Sequence, residues 1–270
     1  MCIRDRDKGE VVEYDDNGEP VRMIGAIRDI TQEVVQKNQI EKLAFYDPLT
    51  DLPNRRLLSD RLAQSIQHHQ ATSGYGALVF MDLDHFKLLN DIHGHYMGDQ
   101  LLVEISQRLL YRLDTDDTVA RFGGDEFVII LHDLEKNPTK AGIVADSIAQ
   151  ELKELISQPC YLYNDSTDSI LEYEVTGSMG IVIFPSESDS PESIIKLADM
   201  ALYKAKEDGR DSCVSFKQEM QQDLDNTIMM QRDLKKAVYD ELLELYFQPK
   251  YDQHLNLFGA EGLVRWHSEL

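Results

Sequence analysis

Two apolar, β-type runs, Thr118–Phe122 and Phe127–Leu131, are separated only by Gly123-Gly124-Asp125-Glu126. A glycine pair between such runs reads as a tight hairpin, and the second run is apolar enough for a buried strand. The two acids then stand at the mouth of that strand, beside backbone that lacks a Cβ and admits close approach. Such a place suits a cation and a phosphate chain. It suits a plain hairpin with exposed acids as well, and the four residues alone do not decide between the two.

A second acidic point lies earlier. Gly76–Met81 reads as a buried strand running into Asp82-Leu83-Asp84. Alternate side chains of a strand share a face, so Asp82 and Asp84 are expected to point the same way. Neighbouring carboxylates repel unless a cation binds them, and hard oxygen ligands favour Mg²⁺. An acid here also suits a helix N-terminus, where the macrodipole stabilises it, and Asp84 is open to that reading. Asp82, directly after the apolar run, fits a metal better.

The charge balance bears on the partner. The 270 residues carry a formal net charge of −22, which argues against broad binding to nucleic acid or to an anionic membrane surface. An anionic ligand therefore needs a local basic pocket or a metal. Cys2, Cys160 and Cys213 are an odd, widely spaced set that indicates neither a disulfide framework nor a zinc site. No apolar run approaches the roughly 20 residues that span a bilayer, and no signal peptide is visible. A soluble, cytoplasmic chain is expected, with any membrane anchor of a parent protein lying elsewhere.

Along the chain, Gly9–Thr31 alternates around Asn17-Gly18 as a hairpin, which needs further strands to bury a face. Thr31–Tyr46 reads as a connecting helix with Val34, Val35, Ile40, Leu43 and Ala44 as its apolar stripe. Pro48 and Pro53 interrupt helix and Asn54 caps the next one, Leu57–His69. His68, His69 and His85 lack ligand spacing and are expected to face solvent. His93–Asp99 reads as a glycine-punctuated loop, followed by helices Gln100–Leu113 and Pro138–Ser157. Cys160–Tyr163 and Leu171–Phe184 read as a strand pair around a polar loop, Asn164–Ser169. A helix from Pro191 through Glu207 stops at Gly209, and Ser212–Phe216 closes the sheet. Lys204, Lys206 and Arg210 gather at that helix end, where cations complement the dipole whatever their function. A helix over Lys217–Tyr239 and two further strands complete the chain.

From Asp47 to Phe216 these residues resemble the GGDEF family of diguanylate cyclases. Five motifs stand in family order: D-x-L-T-x-L-x-N-R-R, D-L-D-x-F-K-x-x-N-D, G-H-x-x-G-D, R-F-G-G-D-E-F and A-L-Y-x-A-K-x-x-G-R. Gly9–Thr31 resembles the C-terminal end of a PAS sensor domain. Residues from 241 resemble the opening of an EAL phosphodiesterase domain, with Glu261-Gly262-Leu263 where Glu-Ala-Leu usually stands. The domains implied are a PAS-like end over 1–30, a linker helix over 31–46, the GGDEF domain over 47–216, a linker helix over 217–240 and an EAL start over 241–270. The remaining ligands and base of an EAL site would lie beyond residue 270, so hydrolysis of cyclic di-GMP by this chain is not expected.

The resemblance implies an α+β fold of three-layer type, a mixed central sheet wrapped by helices and akin to the polymerase palm. It implies condensation of two GTP to cyclic di-GMP with release of two pyrophosphates, by a homodimer and with Mg²⁺ or Mn²⁺. Asp82, the carbonyl of Leu83 and Asp125 would hold the metal. Glu126 would act as metal ligand or general base, the sequence leaving open which acid takes the proton. Arg121 would stabilise transition-state charge, Gly123 and Gly124 would leave room for phosphates, and Lys87, Lys206 and Arg210 would meet them. Asn90 and Asp99 would read guanine with His95 nearby, although Asn90 also suits a turn cap. The alternative function is a GTP-binding regulatory module attached to a phosphodiesterase. One departure stands out. The product-inhibition motif R-x-x-D of many relatives reads Asp114-Thr115-Asp116-Asp117 here, an acid replacing the arginine.

Overall fold

The computed structural model describes residues 5–164, 168–186 and 189–266. In chain order the elements are β1 Asp5–Tyr14, β2 Pro20–Asp29, α1 Thr31–Phe45, α2 Arg55–Thr72, β3 Tyr75–Leu83, α3 Phe86–His93, α4 His95–Arg112, β4 Thr118–Gly123 and β5 Glu126–Glu135, then α5 Pro138–Ile156, β6 Cys160–Asn164, β7 Ser169–Tyr173, β8 Gly177–Phe184, α6 Pro191–Glu207, β9 Cys213–Ser215, α7 Gln218–Tyr239, β10 Leu243–Tyr251 and β11 Leu257–Trp266. They divide into two units, Met1–Phe216 and Lys217–Leu270.

The first unit is built on a five-stranded sheet of order β4-β5-β3-β8-β9. β3 is central and antiparallel to both neighbours, while β9 runs parallel to β8. Strands buried on both faces must be apolar throughout, and β3 and β5 are. Val79, Met81, Phe127 and Ile129 pack on one face against Leu101 and Ile105 of α4 and Ala149 and Leu152 of α5. Leu78, Phe80, Val128 and Ile130 pack on the other against Leu58 and Leu62 of α2 and Ala198 and Leu202 of α6. The result is the mixed, helix-wrapped α+β sheet expected.

Local chemistry fixes the helix starts. The Asn54 side chain accepts from the N–H groups of Arg56 and Leu57, so the cap predicted for α2 is present. Ser190 and Ser193 form a reciprocal capping box at α6, with Pro191 in its first turn. α6 also lies unusually close to the sheet. A Cβ on Gly180 of β8 would stand 2.1 Å from the Ala198 carbonyl oxygen and 2.3 Å from the Leu202 nitrogen.

Several expectations need correction. His93–Asp99 is helical except at Gly94, whose φ of +84° ends α3 and allows α4 to begin at His95. Met97 and Gly98 are buried, so packing of α4 overrides the loop signal of the glycines. Leu171–Phe184 is two strands. β7 pairs only with β6 as a separate hairpin, and β8 joins the main sheet after the chain turns at residues 174–176. Residues 165–167 of the polar loop lie outside the described set. His69 does not face solvent: it is fully buried, its Nδ1 bonding to the Ser65 carbonyl while Nε2 accepts the Asp133 N–H.

β1 and β2 form an antiparallel hairpin of their own. Val35, Ile40 and Leu43 of the α1 stripe are exposed. In the second unit β10 and β11 pair antiparallel, with mostly exposed side chains. Among the described residues no helix is long and apolar enough to cross a membrane.

Candidate active site

β3 delivers Asp82 to the sheet end directly opposite Glu126 of β5, on the face covered by α2 and α6. Residues opposite each other in an antiparallel pair put their side chains on the same face. Asp125 stands between, in the turn after Gly124, and its carbonyl accepts the Leu83 N–H at 3.3 Å. The turn residues are therefore Gly124 and Asp125, one position later than the glycine pair suggests. Gly124 has φ of +51°, a conformation that favours glycine. A Cβ on Gly123 would meet open space, so the backbone there is approachable.

Asp82 is 8 % exposed, and Lys206 of α6 sets its Nζ 2.8 Å from Oδ2. Burial pushes the Asp82 carboxyl above its ordinary range, and the charges of Asp125 and Asp84 add to this against the hydrogen bond from Lys206. Burial raises Glu126 likewise, with Asp82, Asp125 and Asp199 adding to it and Lys206 opposing. One ammonium thus faces a surplus of carboxylates at the mouth of two strands. Such an excess of negative oxygen would be relieved by a divalent cation. No three His, Cys, Asp or Glu side chains form a ready cage among the described residues. Mg²⁺ does not need one, since it commonly takes one or two carboxylates and completes its shell with water and substrate phosphates. Asp82, Asp125 and the Leu83 carbonyl fit that description.

Asp84 does not join this group. Its carboxylate accepts from the hydroxyls of Ser178 and Thr176, each at 2.8 Å, and from the Asp211 N–H at 3.1 Å. Neither a metal shared with Asp82 nor capping of α3 describes it: β3 ends at Leu83, and His85 is the residue at the start of α3.

Arg121 is committed to the protein. Nε and Nη2 donate to the Gly124 carbonyl at 3.0 and 2.7 Å, and Nη1 reaches Asp47 Oδ1 at 3.0 Å. Burial works to raise Asp47, but the Thr50 N–H and hydroxyl and the Arg121 guanidinium outweigh it and hold the carboxyl below its ordinary value. Arg121 therefore braces the turn that carries Asp125. Lys87 and Arg210 are exposed and make no ion pair among the described residues.

Asn90 lies in α3, and His95 and Asp99 lie in α4. The Oδ1 atom of Asn90 is buried and has no partner among the described residues, and a Cβ on Gly98 would lie 2.1 Å from it. A buried acceptor without a donor is costly, so this oxygen would gain from a donor brought by a ligand. Asp99, one residue beyond Gly98, lines a cleft of about 460 Å³ with Tyr96, Gln100 and Tyr161. His95 is the exposed first residue of α4. Two residues near the site, Asp47 and Asp199, are not singled out above. For Asp199 a signal exists: it precedes Lys206 by two helical turns on α6.

A family profile described as "Diguanylate cyclase, GGDEF domain" matches residues 44–212. Among curated proteins, the chain is 36% identical over 229 residues to the bifunctional diguanylate cyclase/cyclic di-GMP phosphodiesterase MucR of Pseudomonas aeruginosa, covering 84% of this chain and 32% of that protein. It is 33% identical over 240 residues to the cyclic di-GMP phosphodiesterase PdeR of Escherichia coli, covering 89% and 34%. The chain thus spans about a third of the length of these relatives. Among solved structures, a GGDEF-only form of YfiN from Pseudomonas aeruginosa superposes with a TM-score of 0.60 at 33% identity, covering 67% of this chain and 99% of that one. The coiled coil and GGDEF domain of DgcB from Caulobacter crescentus, in complex with c-di-GMP, gives 0.59 at 27% identity, covering 69% and 93%.

Proposed function

Because the chain belongs to the GGDEF family of diguanylate cyclases, we propose that it condenses two GTP molecules into cyclic di-GMP and two pyrophosphates. In each half-reaction a 3′-oxygen attacks an α-phosphorus. The new O3′–P bond forms as the P–O bond to pyrophosphate breaks, and the hydroxyl proton passes to a carboxylate. The observation that carries this reading is the meeting of Asp82 and Glu126 across adjacent strand ends, with Asp125 beside them and Lys206 against Asp82.

Asp82, Asp125 and the Leu83 carbonyl would hold Mg²⁺ or Mn²⁺, which when bound polarises the phosphate and lowers the pKa of the attacking hydroxyl. Glu126, raised by its surroundings, suits a proton acceptor. Lys87, Lys206 and Arg210 supply charge for the phosphates. Arg121 acts by keeping the Gly123-Gly124-Asp125 turn in place. Asn90 and Asp99 select guanine, whose N1–H and N2–H₂ present adjacent donors, whereas adenine would leave the acceptors unpaired.

Each domain offers half of the product, so two must meet face to face. The exposed Val35, Ile40 and Leu43 of α1 suit a helix that pairs with a second copy. The β1–β2 hairpin is read as the end of a PAS-like sensor, and α7 with β10–β11 as a linker and EAL start carrying Glu261. The setting proposed is cytoplasmic. The test is purified chain with GTP and Mg²⁺, product being followed by chromatography. Bound GTP without product would favour a second reading, a regulatory module for an attached phosphodiesterase, which the name of PdeR supports.

Two expected outcomes follow from the site. The folded-state pKa values of Asp82 and Glu126 lie above their unfolded values, so the folded chain holds more protons in that window. Stability from these groups is present at low pH and is lost as pH rises through the raised values. A bound cation reverses that loss but must displace the protons. The rise in Tm on adding Mg²⁺ should therefore grow as pH rises above the ordinary carboxylate range of about 4; a pH-independent rise would contradict the assignment.

Product inhibition through Asp114–Asp117 is not expected. Asp117 Oδ1 accepts the His132 N–H at 3.0 Å and Oδ2 the Asp114 N–H at 3.2 Å, so the carboxylate ties down its own turn. Asp114, standing for arginine, repels phosphate. Calorimetric titration of the chain with cyclic di-GMP should show no submicromolar binding that Asp117→Ala removes.

A further inference from the structure

The turn that follows α6 carries three successive residues at positive φ: Gly209 at +115°, Arg210 at 65° and Asp211 at 44°. Glycine accepts this readily and aspartate tolerates it, but an arginine at positive φ is uncommon and needs surroundings that hold it there. Here the surroundings are explicit. The Asp211 N–H donates to Asp84 Oδ2 at 3.1 Å, and Lys153 of α5 donates to the Asp211 carbonyl at 2.9 Å while lying 3.2 Å from its carboxylate. The Arg210 N–H returns to the Ala205 carbonyl at 3.0 Å.

Asp84 is 4 % exposed, and its other acceptances come from Thr176 and Ser178 at the entry of β8. Its own N–H donates to the Thr176 carbonyl at 2.9 Å. One carboxylate thus ties the end of β3, the start of β8 and the turn after α6. Lys153 grips the same turn from the opposite side of the sheet. The turn presents an exposed Arg210 without an ion pair among the described residues, four residues after the Lys206 that contacts Asp82. A strained backbone held by two charged anchors, and ending in an unspent guanidinium, is a preorganised anion hook.

We propose that Asp84 and Lys153 are positioning residues which lock the Gly209–Asp211 turn and thereby aim Arg210 at the terminal phosphates of the nucleotide. The proposal rests on the reading of this site as one for GTP. It gives the two acids of Asp82-Leu83-Asp84 different roles, Asp82 serving the cation and Asp84 the phosphate-binding turn. Preorganisation matters because a guanidinium on a free turn must lose backbone and rotamer freedom at each binding event.

The test is calorimetric titration of the full chain, with Mg²⁺, using 3′-deoxy-GTP, which lacks the attacking hydroxyl, and GMP, which lacks the terminal phosphates. Lys153→Met should weaken 3′-deoxy-GTP about tenfold while changing GMP by less than about twofold. Arg210→Ala should do the same, and the double variant should lose little more than either alone. Asp84→Asn should match Lys153→Met without altering the Mg²⁺ concentration that half-saturates binding. Should the buried Asp84 variant not fold, the variant at the partly exposed Lys153 decides alone. Unchanged triphosphate affinity, equal losses for GMP, or fully additive losses with Arg210→Ala would overturn the proposal. So would an Mg²⁺ requirement raised by Asp84→Asn, which would make Asp84 a metal ligand. If the unaltered chain binds neither nucleotide, the GTP reading itself falls; if it binds both and the variants are indifferent, only the positioning role falls.

Discussion

Asp125→Ala is expected to lower the rate of cyclic di-GMP formation by at least about a thousandfold while leaving the fold intact or slightly more stable. The two halves of this expectation have separate causes. The lost carboxylate is one of two that would fix the cation, and groups acting as a unit in one site lose nearly everything when one is removed. Stability moves the other way because Asp125 repels Asp82 and Glu126, raising both. The Asp125 carbonyl, which accepts the Leu83 N–H, is untouched by the substitution. A stopped product assay and a melting curve on the same preparation check both halves. Retention of a tenth of the activity would contradict the cation assignment, and a large fall in Tm would mean that the side chain supports the turn.

Gly180→Ala is expected to be the most damaging small substitution in the core. A single methyl would stand 2.1 Å from the Ala198 oxygen, 2.3 Å from the Leu202 nitrogen and 3.0 Å from the Ala201 carbonyl carbon, all of them backbone. No side chain can rotate away, so α6 must lift from β8. Overpacking of that kind costs about 3 kcal/mol or more, a fall in Tm of about 6–12 °C for a domain of this size. Lifting α6 also withdraws Lys206 from Asp82, so activity should fall with stability. Gly142→Ala is the control. A Cβ there meets nothing within 4 Å, and Gly142 lies inside α5. Alanine is better than glycine by about 0.5–1 kcal/mol within a helix, so this variant should melt slightly higher. Equal melting temperatures for the two variants would refute the packing argument.

Much of the sheet is legible in the sequence because its strands are short apolar runs bounded by strong punctuation. Asn54 and Pro191 announce helix starts, and Gly124 announces the turn that presents Asp125. What is not legible shares one cause: local signals lost to tertiary contacts. Gly94 and Gly98 suggest a loop, yet Gly98 is a glycine because Asn90 packs where its side chain would be. Leu171–Phe184 looks like one strand because nothing local marks where the chain leaves one sheet for another. His69 looks exposed, and its burial depends on Asp133, far along the chain. Within the site, apolar runs put Asp82 and Glu126 at strand ends and favour Asp82 over Asp84 for a metal, but they do not show what Asp84 does instead. That is decided by Thr176, Ser178 and Asp211, none of them near in sequence.

The bracing of Arg121 has a mechanical consequence for control. Tyr46, immediately after α1, bridges to Pro53, whose carbonyl in turn accepts the Arg121 N–H at 2.9 Å. Lys42 within α1 grips Asp51 at 3.0 Å, and Asp47 holds the guanidinium that clasps Gly124. A rotation applied to α1 would therefore be passed through Tyr46, Pro53 and Asp47 to Arg121 and the turn that carries Asp125.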